Sequence, residues 1–309
     1  MISSYISGRL GNQFFQYAFV RSLLFKRGEN ESIKFNFSLV RAAGDAKDGF
    51  NDSLMLFHVL SYTEQNNDIV LADGSILQLI IYILFKLDQK TFRIIKKEKW
   101  FSFFRRFGII FQDYSDNTFN QEVPKTKNVF CYGKYENPEY FDEIRPIILK
   151  EFTPRIPPLE RNKQLYSIIE STNSVCISIR RGDFLSNRFK DRFLVCDKEY
   201  FLKAMEAAKK CISNPTFIFF SDDIDWVRKN IHCDVPCYYE SGDDPVWEKL
   251  RLMYSCKHFI ISNSTFSWWV QYLSRNEDKI VFAPERWSNI PNEKSNLLSD
   301  SFIKISTRT

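Results

Sequence analysis

The chain has 309 residues, of which 44% are hydrophobic and 16% aromatic, so it can bury the cores of two domains and is not a disordered chain. Its net charge of +5 is unevenly placed, because the segment from Lys86 to Arg106 carries +6 and the remainder −1. Seven cysteines without a regular framework argue against a disulfide-rich secreted domain and predict free thiols in a reducing compartment. The start MISSYIS lacks the features of a signal peptide, so we expect a cytoplasmic protein.

The first motif is a glycine turn between a strand and a helix. The run ISSYIS at 2–7 reads as a strand, and apolar spacing predicts a helix from Asn12, its cap, to Lys26. Gly8 and Gly11 then lie in the turn, where another group can approach the backbone closely. Such a turn at the carboxyl end of a parallel strand is where α/β folds bind ligands. A tight turn without a ligand is the alternative, and the spacing is not a dinucleotide fingerprint.

An apolar and basic insert at about 75–110 interrupts the first half of the chain. The run ILQLIIYILFKL at 76–87 is shorter than the roughly 20 residues of a membrane span. The basic residues of Lys86–Arg106 follow it directly. We expect either a solvated helical insert over its own core, which is the usual role of a charge run, or a peripheral contact with an anionic inner membrane.

The remaining elements of the first half predict an N-terminal α/β domain. Strands are expected near 34–37 and at 128–136. A helix should follow, capped by Asn137, with Pro138 at its first position and its end near Lys150. The segment TPRIPP then breaks the pattern, so we place the domains at 1–155 and 156–309.

The second half predicts a regular alternation of strands and helices. Such an order indicates a parallel, doubly wound, Rossmann-like sheet. The expected strands are at 174–180, 216–221, 235–239, 258–262 and 279–283. The expected helices are at 198–211, 223–230, 244–256 and 264–274.

Three of these strands end in polar residues that should converge at one edge of the sheet. They are followed by Arg180-Arg181-Gly182-Asp183, by Asp222-Asp223 and by Ser262-Asn263-Ser264-Thr265. Arginine forks suit phosphate, a helix start after Ser264 offers free N–H groups, and the carboxylates can accept hydrogen bonds from a base or ribose. The set describes a nucleoside diphosphate held without a required metal.

Two metal interpretations compete with this one. Asp223 and Asp225 could form the Asp-x-Asp pair that holds Mn²⁺ in another glycosyltransferase fold, although acids are favoured at a helix start in any case. His232, Cys233 and Cys237 match no usual zinc spacing. We therefore expect no metal site.

Four segments together resemble glycosyltransferase family 11, the α-1,2-fucosyltransferases: GRLGNQFFQYA, SIRRGDF, FIFFSDDIDW and LMYSCKHFIISNSTFSWW. The resemblance implies an inverting, metal-independent enzyme of two facing Rossmann-like domains, the GT-B type. It implies GDP-fucose as the donor, a galactoside as the acceptor, surface glycan synthesis as the setting and no cofactor. The acceptor could be lipid-linked, and no nucleic acid is expected.

The resemblance also assigns residues. The expected donor-binding residues are Arg180, Arg181, Asp222, Asp223, Asn263, Ser264, Thr265 and Ser267. The expected catalytic residues are Arg180, Asp183 and Asn12, with Asp183 one candidate for the general base. The expected acceptor-side cleft residues are Gly8, Arg9, Gly11, Asn12 and Gln13.

One position departs from the family pattern. The donor motif of the family usually reads His-x-Arg-Arg-x-Asp, and Ser178 stands at the histidine position. Side-chain alternation puts Ser178 and Arg180 on one face of the strand and Arg181 on the other, so Arg180 should matter more. Fucosyl transfer with another linkage, α-1,6 or O-linked, is the nearest alternative. A nucleic-acid-binding protein that uses the basic segment would leave the strand-end motifs unexplained.

Overall fold

The computed structural model describes residues 1–90, 98–112 and 122–307. The chain divides into two compact units, Met1–Glu151 and Phe152–Thr309, and each is described by itself. The division falls four residues before the position expected from the TPRIPP segment. Much of the predicted basic segment, at 91–97, lies outside the described residues.

The first unit is built on a five-stranded, all-parallel sheet. Its spatial order is β3-β2-β1-β5-β4, so the chain reverses its direction of winding between β1 and β5. Ligand sites of open α/β sheets lie at the carboxyl ends of the two strands that flank such a reversal. The strands are β1 (Ile2–Tyr5), β2 (Ile33–Asn36), β3 (Thr63–Glu64), β4 (Ile109–Phe111) and β5 (Val129–Tyr132).

Six helices accompany this sheet. Their bounds are α1 (Leu10–Lys26), α2 (Ser38–Arg41), α3 (Ile69–Asp73), α4 (Ile76–Lys90), α5 (Glu98–Arg105) and α6 (Arg145–Glu151). The inner faces of α3, α4 and α5 share one apolar cluster with β4 and β5. In the described residues, no helix is long and apolar enough to cross a membrane.

Two helix predictions in this unit differ from the structure, one at its start and the other in its continuity. The cap at Asn137 is confirmed, since its side chain accepts the Glu139 N–H and Pro138 follows it. Helix α1 begins at Leu10 with Arg9 as its extended N-cap, so Asn12 lies in the first turn and does not cap it. The helix expected from Asn137 is broken into two 3-10 turns, Pro138–Tyr140 and Asp142–Ile144, before α6. Pro146 has no N–H, so the α-helix starts afresh around it, where its first turn needs no donor.

The second unit has a six-stranded, all-parallel sheet of order β11-β10-β9-β6-β7-β8. This is the doubly wound Rossmann order, which confirms the predicted fold, and its reversal lies between β6 and β9. The strands are β6 (Asn173–Ile179), β7 (Pro215–Ser221), β8 (Cys237–Tyr239), β9 (His258–Ile260), β10 (Val281–Pro284) and β11 (Ile303–Ile305).

Helices cover both faces of this sheet. They are α7 (Lys163–Ser171), α8 (Lys190–Phe193), α9 (Lys198–Cys211), α10 (Ile224–Asn230), α11 (Val246–Ser255) and α12 (Thr265–Leu273). Val175, Ile177 and Ile179 of β6 lie in one apolar cluster with α9 and α10. The intervening Ser178 instead meets Ser267 of α12, so β6 alternates as expected and sends its polar face toward α12.

A histidine joins β9 to the start of β10. The Nδ1 atom of His258 accepts a hydrogen bond from the Ile280 N–H at 3.1 Å, which requires an unprotonated Nδ1. Burial lowers the pKa of His258, and the charge of Lys257 lowers it further. The neutral imidazole is therefore the form that the fold uses.

We expect the His258 link to make stability fall on acidification. Because the pKa of His258 is lowered in the folded state, its contribution is complete above the unfolded value of about 6.5 and is lost as the pH falls through the folded value. His258→Asn keeps an acceptor near the Nδ1 position but cannot titrate, so its melting temperature should depend less on pH between about 7 and 5.

The exposed His58 provides the matched control for this measurement. His58→Asn should follow the pH dependence of the wild type. Equal pH dependence of thermal melting in His258→Asn and the wild type would contradict the assignment.

Candidate active site

Arg180 is held at the carboxyl end of β6 by two carboxylates. Its Nη1 lies 2.6 Å from Oδ2 of Asp222, and its Nη2 donates to Oδ1 of Asp183 at 2.5 Å. The register of the sheet explains the first pair, since Ile179 lies beside Ser221 and the next residues of both strands follow together. Two of the five guanidinium N–H donors are used in this way, and the side chain is about one quarter exposed, at 24%. Arg180 is thus fixed in direction while further donors remain for an anion.

Arg181 turns to the other side, toward α10. Its guanidinium carbon lies 3.5 Å from the centroid of the Trp226 ring, a stacked cation–π contact. Its Nε donates to Oδ2 of Asp223 at 3.1 Å, and its backbone N–H donates to Oδ1 of Asp222. The opposite directions of the two arginines agree with the alternation along β6.

Gly182 is required by the closeness of Asp222. A Cβ atom added at this position would lie 2.4 Å from Oδ2 of Asp222, the atom that pairs with Arg180. Any side chain here would push that carboxylate away. The glycine of the Arg-Arg-Gly-Asp motif therefore serves the ion pair.

The end of β7 is held by a buried carboxylate. Oε1 of Glu240 accepts the Ser221 N–H at 2.8 Å and lies 2.9 Å from Nζ of Lys249. Burial raises the pKa of Glu240, and Lys249 acts in the opposite direction. Asp223 caps α10 by accepting the Trp226 N–H, so Asp222 and Asp223 both leave a fixed strand end.

A chain of three buried hydroxyls connects β6 to α12. Oγ of Ser178 lies 2.7 Å from Oγ of Ser267, which lies 3.0 Å from Oγ of Ser262. The residue at the family's histidine position is thus bonded to the first turn of the helix that follows β9. This chain holds together the two strand ends that flank the reversal of the sheet.

Asn263 fastens two loops beside this chain. Its Nδ2 donates to the backbone oxygens of Phe193 and Trp287, each at 2.9 Å, and the residue is buried. Asn263 and Ser267 were expected to bind the donor, but here their side chains are engaged inside the protein. Ser264 and Thr265 are half-buried at the start of α12, where first-turn N–H groups attract an anion.

The glycine turn of the first unit also lies at a sheet reversal. Gly8 has a φ of +76°, and an added Cβ would lie 2.8 Å from Oδ1 of Asn12. Nδ2 of Asn12 donates to Oε1 of Glu136 at 3.0 Å, which links the turn after β1 to the loop after β5. Gly11 is buried within α1 and does not lie in the turn.

Gln13 builds the turn from inside. Its Nε2 donates to the backbone oxygens of Gly8 and Asn51, at 3.1 and 2.7 Å, and its Oε1 accepts the Ser53 N–H. Because Gln13 is fully buried, its amide positions the two loops. Arg9 is half-buried, with its guanidinium carbon 4.8 Å from the centroid of the Phe50 ring. Asn12 and Arg9 thus remain the side chains of this motif that are partly exposed.

Sequence reasoning missed the partners of these residues. Trp226 and Glu136 each fix a predicted site residue, and Glu240 fixes the strand end from which Asp222 and Asp223 leave. Trp226 alone carried a signal, since it stands in the third position of a helix directly after Asp223. In the described ranges, no group of three His, Cys, Asp or Glu side chains is arranged to hold a metal ion.

Arg180 follows β6 and the start of α12 follows β9, and these two paired strands flank the reversal of the sheet. A guanidinium and free helix N–H groups are the kinds of group that suit a phosphate. The model of glycosyl transferase family 11 matches residues 1–304. The chain belongs to glycosyltransferase family 11. It is therefore a glycosyltransferase, and the resemblance carried by the four segments is confirmed.

Two bacterial relatives align over nearly all of the chain, and a mammalian one over half of it. The O-antigen biosynthesis glycosyltransferase WbnK of Escherichia coli is 27% identical, over 98% of this chain and 99% of that protein. The alpha-1,2-colitosyltransferase of Escherichia coli is 28% identical, over 91% and 90%. Galactoside alpha-(1,2)-fucosyltransferase 2 of Rattus norvegicus is 27% identical over 52% of each chain. The solved structure of NodZ alpha-1,6-fucosyltransferase, soaked with GDP-fucose, has 11% identity and a TM-score of 0.48, over 88% of this chain and 91% of that one.

We expect Arg180 to matter more for transfer than Arg181. A preorganised donor to developing charge contributes about 10²–10³ in turnover, so Arg180→Ala should lose most activity. Arg180→Lys should recover little, because an ammonium cannot make the planar, forked contact. Arg181→Ala should be milder, since that guanidinium is stacked on Trp226. Turnover and GDP affinity of the folded variants measure this, and the opposite order of severity would contradict it.

We also expect the Ser178 hydroxyl to support nucleotide binding through Ser267. Ser178→Ala removes the hydrogen bond between β6 and Ser267 at a cost of about 1 kcal/mol, so GDP affinity should fall roughly fivefold. Ser174→Ala is the matched control, because Ser174 is a buried serine on the same face of β6 whose hydroxyl bonds the Ile169 oxygen at 2.8 Å. The control should lose stability while GDP affinity stays at the wild-type value. Equal GDP affinity in both variants would disprove the link.

Proposed function

We propose that this glycosyltransferase moves L-fucose from GDP-fucose to the 2-hydroxyl of a galactoside, with inversion, in the synthesis of a surface glycan. The observation that carries the proposal is the geometry of Arg180, which Asp183 and Asp222 orient at the end of β6, in a family 11 chain whose next strand in the sheet, β9, leads into α12. The names of two relatives specify α-1,2 transfer, which favours this linkage over an α-1,6 or O-linked one. Nucleic-acid binding would leave the strand-end motifs unexplained.

The mechanism is a single displacement at the anomeric carbon. Negative charge grows on the leaving β-phosphate as the sugar ring gains oxocarbenium character, and fixed cations near the phosphate stabilise that charge most. Arg180 and the first turn of α12 supply this stabilisation in the proposal. Arg181, stacked on Trp226 and paired with Asp223, would contribute from the other side of β6.

The acceptor hydroxyl must lose its proton to a base. The Oδ1 atom of Asp183 is engaged by the Arg180 guanidinium, so orienting Arg180 is the role that its geometry favours. Asn12 is an amide and offers hydrogen bonds, not a base. Arg9 and Asn12 are the residues that we propose to meet acceptor or sugar oxygens.

The direct experiment is incubation of the purified protein with GDP-fucose and a small panel of galactosides. Linkage analysis should give fucose on the 2-hydroxyl of galactose, with the anomeric configuration inverted. Because one relative is named for colitose, a colitosyl donor should be assayed in parallel. Transfer from the colitosyl donor alone would correct the donor sugar, and a product with any other linkage would overturn the proposed specificity.

We expect transfer to survive an excess of EDTA. In the proposal, the charge of the diphosphate is met by Arg180 and by the N–H groups at the start of α12, so no divalent cation is needed. Asp223 caps α10 and pairs with Arg181, so one of the two acids of the Asp-x-Asp sequence already has partners within the protein. The measurement is the turnover before and after chelation. Loss of activity that Mn²⁺ restores would bring Asp223 and Asp225 into a metal site and contradict this expectation.

The location of the reaction belongs to the same proposal. We propose that the enzyme works in the cytoplasm at the inner membrane, on an acceptor that is lipid-linked. The support is the apolar run at 76–87, followed in the sequence by a segment of net charge +6. Such a combination favours attachment to an anionic surface without crossing it.

A further inference from the structure

Helix α4 is apolar on its outer face as well as on its inner one. Six large apolar side chains recur at positions 0, 1, 4, 7, 8 and 11 of the helix, which places them on a single stripe of about 16 Å. Each of the six is between 46% and 79% exposed. We call them the outer stripe, and they are Ile76, Leu77, Ile80, Ile83, Leu84 and Leu87. An exposed apolar stripe of this size usually marks a binding surface.

The inner face of α4 cannot be exchanged for the outer one. Ile81, Tyr82 and Phe85 are buried in the apolar cluster under β4 and β5. Nε2 of Gln78 donates to the backbone oxygens of Phe107 and Asn128, at 2.9 and 3.1 Å. Nζ of Lys86 donates to the Tyr132 hydroxyl at 2.8 Å, over the ring of the same residue. The helix is therefore locked in rotation, and exposure of the outer stripe is a property of the fold.

Neighbouring helices extend this surface. The inner residues of α3 and α5 join the same apolar cluster as α4, while Leu71 of α3 is exposed, and so are Trp100 and Phe103 of α5. Tryptophan beside aliphatic side chains is typical of helices that lie in the headgroup region of a bilayer. The exposed apolar face thus belongs to three helices of one layer.

Two of the basic residues of the segment Lys86–Arg106 form hydrogen bonds within the protein. Lys86 bonds to Tyr132, and Nη1 of Arg105 donates to the backbone oxygen of Glu122 at 2.8 Å. Arg106 is exposed. The contact surface is therefore the outer stripe, and the basic sequence that follows it supplies the sign of charge that the partner must have.

Charge decides between the two occupants that could cover this face. A second copy would form an isologous contact, which brings the same patch of each subunit together. Each copy carries a net charge of +6 in its sequence from Lys86 to Arg106, and like charges on two partners oppose association. An anionic lipid surface accepts both the apolar side chains and the positive charge.

We propose that the outer stripe of α4, with the exposed apolar residues of α3 and α5, docks onto an anionic bilayer with α4 lying in the plane of the interface. This rests on the proposed function only for its purpose, which is to bring the transferase to an acceptor held at a membrane. Binding itself needs neither donor nor acceptor. It can therefore be measured apart from transfer.

The test is flotation with phosphatidylcholine vesicles prepared with and without phosphatidylglycerol, at low and high salt. The wild type should float with the anionic vesicles and bind less at high salt. The double variant Ile80→Glu, Leu84→Glu puts two carboxylates into the stripe and should weaken vesicle binding by about tenfold or more. Met55→Glu is the matched control, since Met55 is 64% exposed in the same unit but lies in the turn Leu54–Leu56. Circular dichroism and GDP binding confirm that all three proteins fold.

Three results would overturn the inference. They are absence of vesicle binding by the wild type, equal binding by the double variant, and a concentration-dependent dimer that the double variant abolishes. Transfer to a soluble galactoside should be the same in all three proteins. If vesicle binding follows the prediction and no protein transfers fucose, the proposed function fails while the docking surface stands.

Discussion

The guanidinium of Arg180 lies between two carboxylates, and this three-residue cluster sets the geometry of the C-terminal site. Asp222 comes from the neighbouring strand and Asp183 from the turn that follows, so the cation ties two strand ends to one loop. The cluster is only partly exposed, which strengthens its electrostatic attraction and makes loss of any member costly. In the function that we propose, a phosphate approaches the N–H donors of Arg180 that the two carboxylates do not use. Asp183 and Asp222 thus set the direction of the Arg180 guanidinium before any phosphate binds.

Both units use a buried amide to shape the loop beside their sheet reversal. Gln13 joins the turn after β1 to the loop at Asn51, and Asn263 joins the loops at Phe193 and Trp287. A side-chain amide suits this task because it donates twice from one nitrogen, so two backbone carbonyls can be satisfied away from water. The partly exposed residues next to these amides, Asn12 in one unit and Ser264 in the other, are then held in place without being buried themselves.

Much of the fold could be predicted because strongly apolar runs alternate with well-spaced helices in the second half. The strands that were missed, β3, β4 and β11, have only two or three residues and lie at sheet edges, where the apolar signal is weakest. The break in the helix after Asn137 was missed because Pro138 and Pro146 are each compatible with the first turn of a helix, and only Pro138 was taken as a start. Residue pattern alone cannot show which of two proline signals the chain obeys.

The sheet edge that carries the candidate site was predictable, and the contacts of its residues were less so. The predicted strands correctly placed Arg180, Asp222 and Ser264 at one edge of the sheet, because the carboxyl ends of parallel strands meet at the same edge. Polarity alone could not show which polar residues are buried and bonded within the protein, as Asn263 and Ser267 illustrate. That distinction depends on burial, which is decided by tertiary packing.

The hydroxyls of Ser178, Ser267 and Ser262 form a chain that a histidine at position 178, the usual residue of the family, could not form in the same way. Each hydroxyl can donate or accept, so the heavy-atom distances of 2.7 and 3.0 Å permit the chain of hydrogen bonds to run in either sense. Reversal needs only rotation about C–O bonds, with no movement of backbone or side-chain carbon. The local dipole can therefore turn over when charge arrives at the start of α12, and the strand and the helix keep their positions while it does so.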